Sequence, residues 1–224
     1  MDKIENHRHQ IHLFYSNYPN NHFDSVAQRV IKQVENSLDK LSQRREQDLK
    51  KDYMTEMQVY FLQNELMALS KMKLIYMYMN FEIHIKKLIS IAYNEVENDL
   101  YNWEKVISFF KSKDIEIKKL ENYSDVNDIR NLSNSIKHSE GLINERTRNI
   151  DEFKGRKTAD VDILNKFYER TMDSPKELIG KLTKEINKDL YEFSEARLDS
   201  ITRDFNMRMD DNTKEKFIIR LRND

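Results

Sequence analysis

The sequence predicts an all-α protein, an elongated helical bundle, and three observations predict it. Between residues 20 and 140 there is neither glycine nor proline: the prolines are Pro19 and Pro175, the glycines Gly141, Gly155 and Gly180. A β-rich domain needs turn residues in so long a stretch. Apolar residues recur at helical rather than strand spacing through most of it. Charged residues make up 34% of the chain and hydrophobic ones 38%, with a mean hydropathy of -0.84, which suits long helices with wet outer faces.

Each element follows in order. Residues 1–22 read as a polar N-terminal tail ending in the loop "YSNYPNNHF", with a helix cap near Asp24. A helix over 24–52 carries Val26, Val30, Val34, Leu38 and Leu41 as its apolar stripe. The next helix, 55–98, is the main core element; unbroken it would span about 66 Å, so a bend or an overhang beyond the bundle is expected. From Ile75 to Lys86 its apolar residues also alternate (Met77, Met79, Phe81, Ile83, Ile85), a strand period. No turn residues bound that run and both flanks favour helix, so helix is predicted there too.

Asp99 is placed to cap a third helix, 100–120, burying Trp103, Val106, Ile107 and Phe110. "ENYSDVND" is a turn, with Ser124 or Asp125 as the N-cap of a fourth helix, 124–140, closed by Gly141. Residues 141–173 are mixed and polar, with "FKGRKTADVD" the expected loop. Serine before proline in "SPKELIG" starts a helix that runs to about 209, and a short one follows at 212–222. These readings give a bundle over 23–173 and a C-terminal helical extension over 174–224 that packs on it.

Composition removes several functions. With no cysteine, disulfides, thiolate catalysis and cysteine-ligated zinc are excluded. The most apolar stretch, "LIYMYMNFEIHIKKLISIA", contains Asn80, Glu82, His84, Lys86 and Lys87, which argues against a membrane span. The start, "MDKIENHRHQIHLFY", has no apolar run of the signal-peptide kind, so a cytoplasmic protein is expected. The net charge of -1 means that any anion site must be local.

The stretch that carries chemistry is "IRNLSNSIKHSEG", residues 129–141. Arg130, Asn134 and His138 stand four apart, the spacing that stacks side chains along one helix stripe. At about 100° per residue, Asn127 and Lys137 join them in one polar arc of roughly 120°, with Ile129, Leu132 and Ile136 on the other side. Such an arc suits a phosphodiester. Arginine offers a planar fork of donors and lysine a point charge; asparagine orients; histidine gives and takes protons near neutrality. On RNA, that histidine would deprotonate a ribose 2′-OH already tethered beside its target phosphorus, and no metal is required. The competing reading is a solvated helix end, where Lys and His stabilise the C-terminal dipole.

"RNLSNSIKHSEG" resembles the signature helix of the HEPN superfamily, a frequent form of which reads R-N-x-x-K-H. Aligned by "NSIKH", Asn134, Lys137 and His138 match that form. The arginine slot falls on Ser133, and the nearest arginine is Arg130, one turn earlier on the face of Asn134. "MYMNFEIHIKKLI" is similar to the family's earlier core helix, with Glu82 as the acidic residue; a plain i,i+4 pair with Lys86 is the alternative. The resemblance covers residues 55–141.

It implies a four-helix core that often dimerises, two motif helices meeting across a shared cleft, and a metal-independent endoribonuclease of toxin–antitoxin, abortive-infection or other anti-phage systems. Arg130, Asn134 and His138 would be catalytic. Lys137, Asn131 and Asn127 would hold RNA phosphate, and Glu82 would support them, with no metal or cofactor. The partners implied are RNA (tRNA included), a second copy of the chain, and an antitoxin or defence-system protein. A non-catalytic scaffold or regulatory protein of the same fold stays open as the alternative.

Other groups read as structural. His7, His9 and His12 in "HRHQIH" lack a carboxylate in register for a metal. His84 is expected as a hydrogen-bonded core or interface residue, and Tyr53, Tyr60, Tyr76, Tyr78 and Tyr93 as packing rather than a base-stacking set.

Overall fold

The computed structural model describes residues 3–18, 22–47, 53–95, 97–138 and 142–223, and no strand occurs among them. The protein is an all-α helical bundle. The scaffold is a single long helix, α3, Tyr53–Tyr93, against which α1 (Lys3–Ser16), α2 (His22–Gln47), α5 (Tyr123–His138) and α6 (Val161–Thr171) pack. The buried residues of α3 recur every three or four positions: Leu66, Ser70, Leu74, Met77, Phe81, Ile85, Leu88 and Ala92 among them. The run that also fits a strand separates cleanly at this period. Met77, Phe81 and Ile85 are buried, whereas Met79 and Ile83 are 42% and 40% exposed.

The N-terminal segment is not the tail expected over 1–22. It forms α1, whose Ile11 is fully buried. The His7 ring donates to the Ile91 carbonyl at 2.8 Å, and Phe14 and Tyr18 close over the His84 ring with centroids 5.4 Å and 4.9 Å away. One apolar anchor among polar residues gives too weak a stripe to read as a helix; the surface of α3 supplies what α1 lacks. Helix α2 lays Ile31 and Val34 against Leu66, with Val30, Leu38, Leu62 and Leu69 around them. The expected cap at Asp24 is not there, because α2 already runs through it from His22.

Helix α4, Trp103–Ser112, starts later and ends sooner than the expected 100–120. Its cap is Asn102, whose side chain accepts from the Lys105 backbone N–H at 2.9 Å, while Asp99 lies in a 3-10 turn, Glu97–Leu100. Helix α5 begins at Tyr123, so Ser124 and Asp125 belong to its first turn rather than its cap; Asn122 before it takes a left-handed conformation, φ 69°. The closing role given to Gly141 lies outside the described residues.

The expected loop "FKGRKTADVD" is irregular over 154–160, and a helix the sequence reading did not give, α6, follows it: Asp160 caps it, accepting from the Ile163 N–H at 2.9 Å, and it buries Ile163, Leu164, Phe167 and Tyr168. The helix expected over 174–209 is two, α7 (Ser174–Tyr191) and α8 (Glu195–Arg208), restarted by the Ser194 cap. Helix α9, Asp211–Asn223, follows.

The chain divides into two compact units, Met1–Ile186 and Asn187–Asp224. The boundary lies beyond 173 because Leu178, Ile179, Leu182 and Ile186 of α7 are fully buried. The first unit holds the core, where each completely buried Phe81, Phe110, Phe153 and Phe167 contributes about 1.5–3 kcal/mol relative to exposure. In the second unit no described residue is buried; α8 and α9 meet through Phe205 and Phe217, ring centroids 4.9 Å apart. Among the described residues no helix is long and apolar enough to cross a membrane.

Candidate functional site

Helix α5 is held in rotation by its buried side: Val126, Ile129, Leu132, Ser133 and Ser135 all face the interior. What remains outward is the polar arc. Asn127, Arg130, Asn131 and Asn134 are half-buried, and Lys137 and His138 are exposed.

Three of these side chains reach one cleft of about 310 Å³. Arg130, Asn134 and Lys137 form one wall, Tyr78 and Glu82 of α3 a second, and Tyr101, Asn102, Trp103 and Glu104 at the start of α4 the third. Lys137 Nζ stands 5.9 Å from the Tyr78 ring centroid. Burial pushes the Tyr78 phenol well above its ordinary pKa; Glu82 adds to this and Arg130 opposes it, so both charges act at this wall. Glu82 also pairs with Lys86 at 2.8 Å. It is therefore both the local i,i+4 partner and a cleft residue.

Two donors of the residues that line the cleft are buried and unpaired. One guanidinium nitrogen of Arg130 donates to Asn127 Oδ1 at 3.2 Å, but its Nε–H is buried without an acceptor, as is the indole N–H of Trp103. Trp103 is fixed by rings on both sides, Phe81 at 5.8 Å and Tyr123 at 6.4 Å.

A second cleft, about 270 Å³, lies along the same arc and is lined by Asn131, Asn134, Ser135, Asn144, Glu145 and Arg146. The segment after α5 builds it by folding back. Ser135 donates to the Leu142 carbonyl at 3.2 Å and accepts from the Asn144 side chain at 2.7 Å, and Thr147 donates to the same carbonyl at 2.7 Å. Asn134 borders both clefts.

The far flank of α5 is bound to α6 by charge. Arg170 contacts Asp125 at 2.6 Å, Glu152 at 2.6 Å and Asp128 at 3.7 Å, and Ser174 donates to the other oxygen of Asp125 at 2.9 Å. Asp128 is held above the usual carboxylate range, chiefly by burial and further by Asp125, Glu152 and Asp151, against the pull of Arg170.

Of the residues singled out in the sequence, the structure brings Arg130, Asn134, Lys137 and Glu82 together. Asn131 sits in the adjoining cleft, and Asn127 steadies Arg130. His138 lines neither cleft. His84 is the hydrogen-bonded residue expected, its Nδ1–H donating to the Asn80 carbonyl at 2.8 Å, and burial lowers its pKa. The tyrosine set divides. Tyr78 is buried and packs, but Tyr53 and Tyr60 are 73% and 59% exposed.

Sequence reasoning missed Tyr101, Asn102 and Glu104, because the cleft joins segments far apart in the chain. The one local signal was the capping Asn102, which leaves Tyr101 just outside α4. Comparison of the chain with protein-family models, with curated proteins and with solved structures found no match.

Proposed function

We propose that this chain is a HEPN-like, metal-independent endoribonuclease with a toxin or anti-phage role, acting on single-stranded segments of RNA such as those of tRNA. One observation carries the reading: Arg130, Asn134 and Lys137 line one cleft, where Arg130 keeps a buried N–H without an acceptor. The Arg130 guanidinium offers a phosphate its planar fork of donors, and Lys137 adds a second positive charge. Ser133, at the family's arginine slot, is fully buried and carries only a hydroxyl, so Arg130, one turn earlier on the face of Asn134, takes the part.

In the proposed reaction His138 removes the ribose 2′-OH proton and O2′ attacks the adjoining phosphorus. The bond from phosphorus to the 5′ oxygen breaks as that oxygen takes up a proton. The products are a 2′,3′-cyclic phosphate and a 5′-hydroxyl end. His138 is exposed at the end of α5, outside the cleft of its own chain. Catalysis therefore calls for a second copy to pair the motif helices, so that the histidine of one faces the arginine of the other. A protein that caps the exposed end of α5 would act as its antitoxin.

The position of His138, and the carboxylates of Glu82 and Glu104 in the cleft, favour the second reading, a non-catalytic interaction or regulatory protein of the same fold. The two separate on incubation of purified protein with tRNA and total RNA in EDTA, beside His138→Ala. Cleavage by the unaltered chain alone, with cyclic phosphate ends, supports the ribonuclease; binding without cleavage by either supports the second reading. Equal cleavage by both removes His138 from the mechanism.

A further inference from the structure

The ribonuclease reading assigns the basic wall of the main cleft and leaves its third wall without a task. Tyr101 is 66% exposed and yet lines the cleft beside Arg130, Asn134 and Lys137. No ring among the described residues stacks on it; its recorded neighbour is a cation, Lys105 Nζ, 5.9 Å from the ring centroid. The backbone beside it is fixed by the start of α4. Asn102 caps α4 immediately after it, and Trp103 is locked between Phe81 and Tyr123.

We propose that Tyr101 is a base-stacking platform: a single-stranded RNA lays one base on its exposed ring while the adjoining phosphate meets Arg130 and Lys137. Charge in the cleft points the same way. Glu82 and Glu104 share the lining with the two cations, so the site is no general anion trap. A ligand that binds there needs a neutral, flat part that gains from an aromatic face, next to a single phosphate. A nucleotide unit with its base unpaired has that form, whereas a duplex keeps its bases stacked on each other. The cleft volume, about 310 Å³, is at the small end of ligand sites, roughly 300–1,000 Å³, and fits one such unit. Stacking on an aromatic face is tolerant of base identity, so the platform selects single-stranded over double-stranded RNA rather than one sequence over another.

The inference rests on the RNA-binding part of the proposed function, and the test separates the two. The chain has one tryptophan, and Trp103 is in the cleft wall, so a change in its emission on binding points to this cleft. Unaltered protein, Tyr101→Ala, Tyr101→Phe and Arg130→Ala are each titrated with a short end-labelled RNA single strand, its duplex, and an abasic strand of equal length, all with 2′-O-methyl riboses that cannot be cleaved by 2′-OH attack. Affinity is read from anisotropy and site occupancy from Trp103 emission. Expected is binding of the single strand ahead of the duplex, weakened about tenfold by Tyr101→Ala and unchanged by Tyr101→Phe. The abasic strand binds the unaltered chain and Tyr101→Ala alike, and Arg130→Ala weakens every strand.

Binding of the base-bearing strand that ignores Tyr101→Ala overturns the platform and leaves the RNA reading standing, as does preference for the duplex. No binding of any strand by the unaltered chain, with Trp103 emission unmoved, overturns the RNA reading and the platform with it.

Discussion

Arg130 stands on one flank of α5 and Arg170 of α6 meets the other flank, and the structure treats the two in opposite ways. Arg170 is engaged on every side, with Asp125, Glu152 and Asp128 within 2.6–3.7 Å. Arg130 has one contact to Asn127 at 3.2 Å and a buried N–H without an acceptor. A buried donor left unpaired costs about 1–3 kcal/mol, so Arg130 is expensive to the fold and Arg170 is not. The difference teaches where to look for function on a helix that carries charge on both flanks: the satisfied arginine joins helices, and the unsatisfied one is left for a ligand.

The comparison breaks first at Arg170. Replacing it with Met strands three carboxylates against each other, and thermal or urea unfolding should show a loss of about 2 kcal/mol, allowing for partial exposure of the group. RNA affinity per folded molecule should be unchanged. Arg130→Met is the reverse. Oligonucleotide binding should fall by tenfold or more, while the unfolding midpoint stays or rises, by up to about 1 kcal/mol, as the unpaired donor disappears. If both variants lose stability equally, the contrast between the arginines is wrong.

The smallest effect belongs to Asp128. Its folded-state pKa is raised by burial, so its ionised form costs stability at neutral pH, and that cost disappears as pH falls through the folded pKa toward the unfolded one, about 3.9. Asp128→Asn should therefore stabilise at pH 7 by a few tenths of a kcal/mol at most, after solvent screening. The gain should vanish near pH 3.5, as followed by the unfolding midpoint across that range.

Much of this was legible in the sequence where a local rule decided the outcome. The absence of glycine and proline gave helices, and the four-residue spacing of Arg130 and Asn134 put them on one face because a helix allows nothing else. Illegible were features that depend on a distant surface. α1 is held because α3 offers an acceptor for His7 at Ile91 and a ring, His84, for Phe14 and Tyr18. Tyr101 enters the site because the 3-10 turn Glu97–Leu100 leads into α4, whose first residue, Trp103, stacks on Tyr123 of α5. The misjudged α6 is a different case. Asp160, Ile163, Leu164 and Phe167 carry both a cap and a helical stripe, but Asp160 falls inside the polar "FKGRKTADVD", which drew attention to a loop. His138 was legible in angle but not in depth: a wheel gives the direction of a side chain and not where the neighbouring walls end.

The long helix α3 has one more consequence. One face of its C-terminal half is sealed, with Phe81, Ile85, Leu88 and Ile89 fully buried, while Tyr53, Met54, Tyr60 and Phe61 near its start are 59–73% exposed. Backbone amides along a single unbroken helix therefore sit in very different environments. Those from Met77 onward should exchange with deuterium only when the first unit opens as a whole, and those of the first turns through local fraying. Tyr78 and Glu82 belong to the slow half, so one side of the cleft is anchored in the most slowly exchanging part of the molecule, and the timing of any RNA-dependent movement falls to the α4 side.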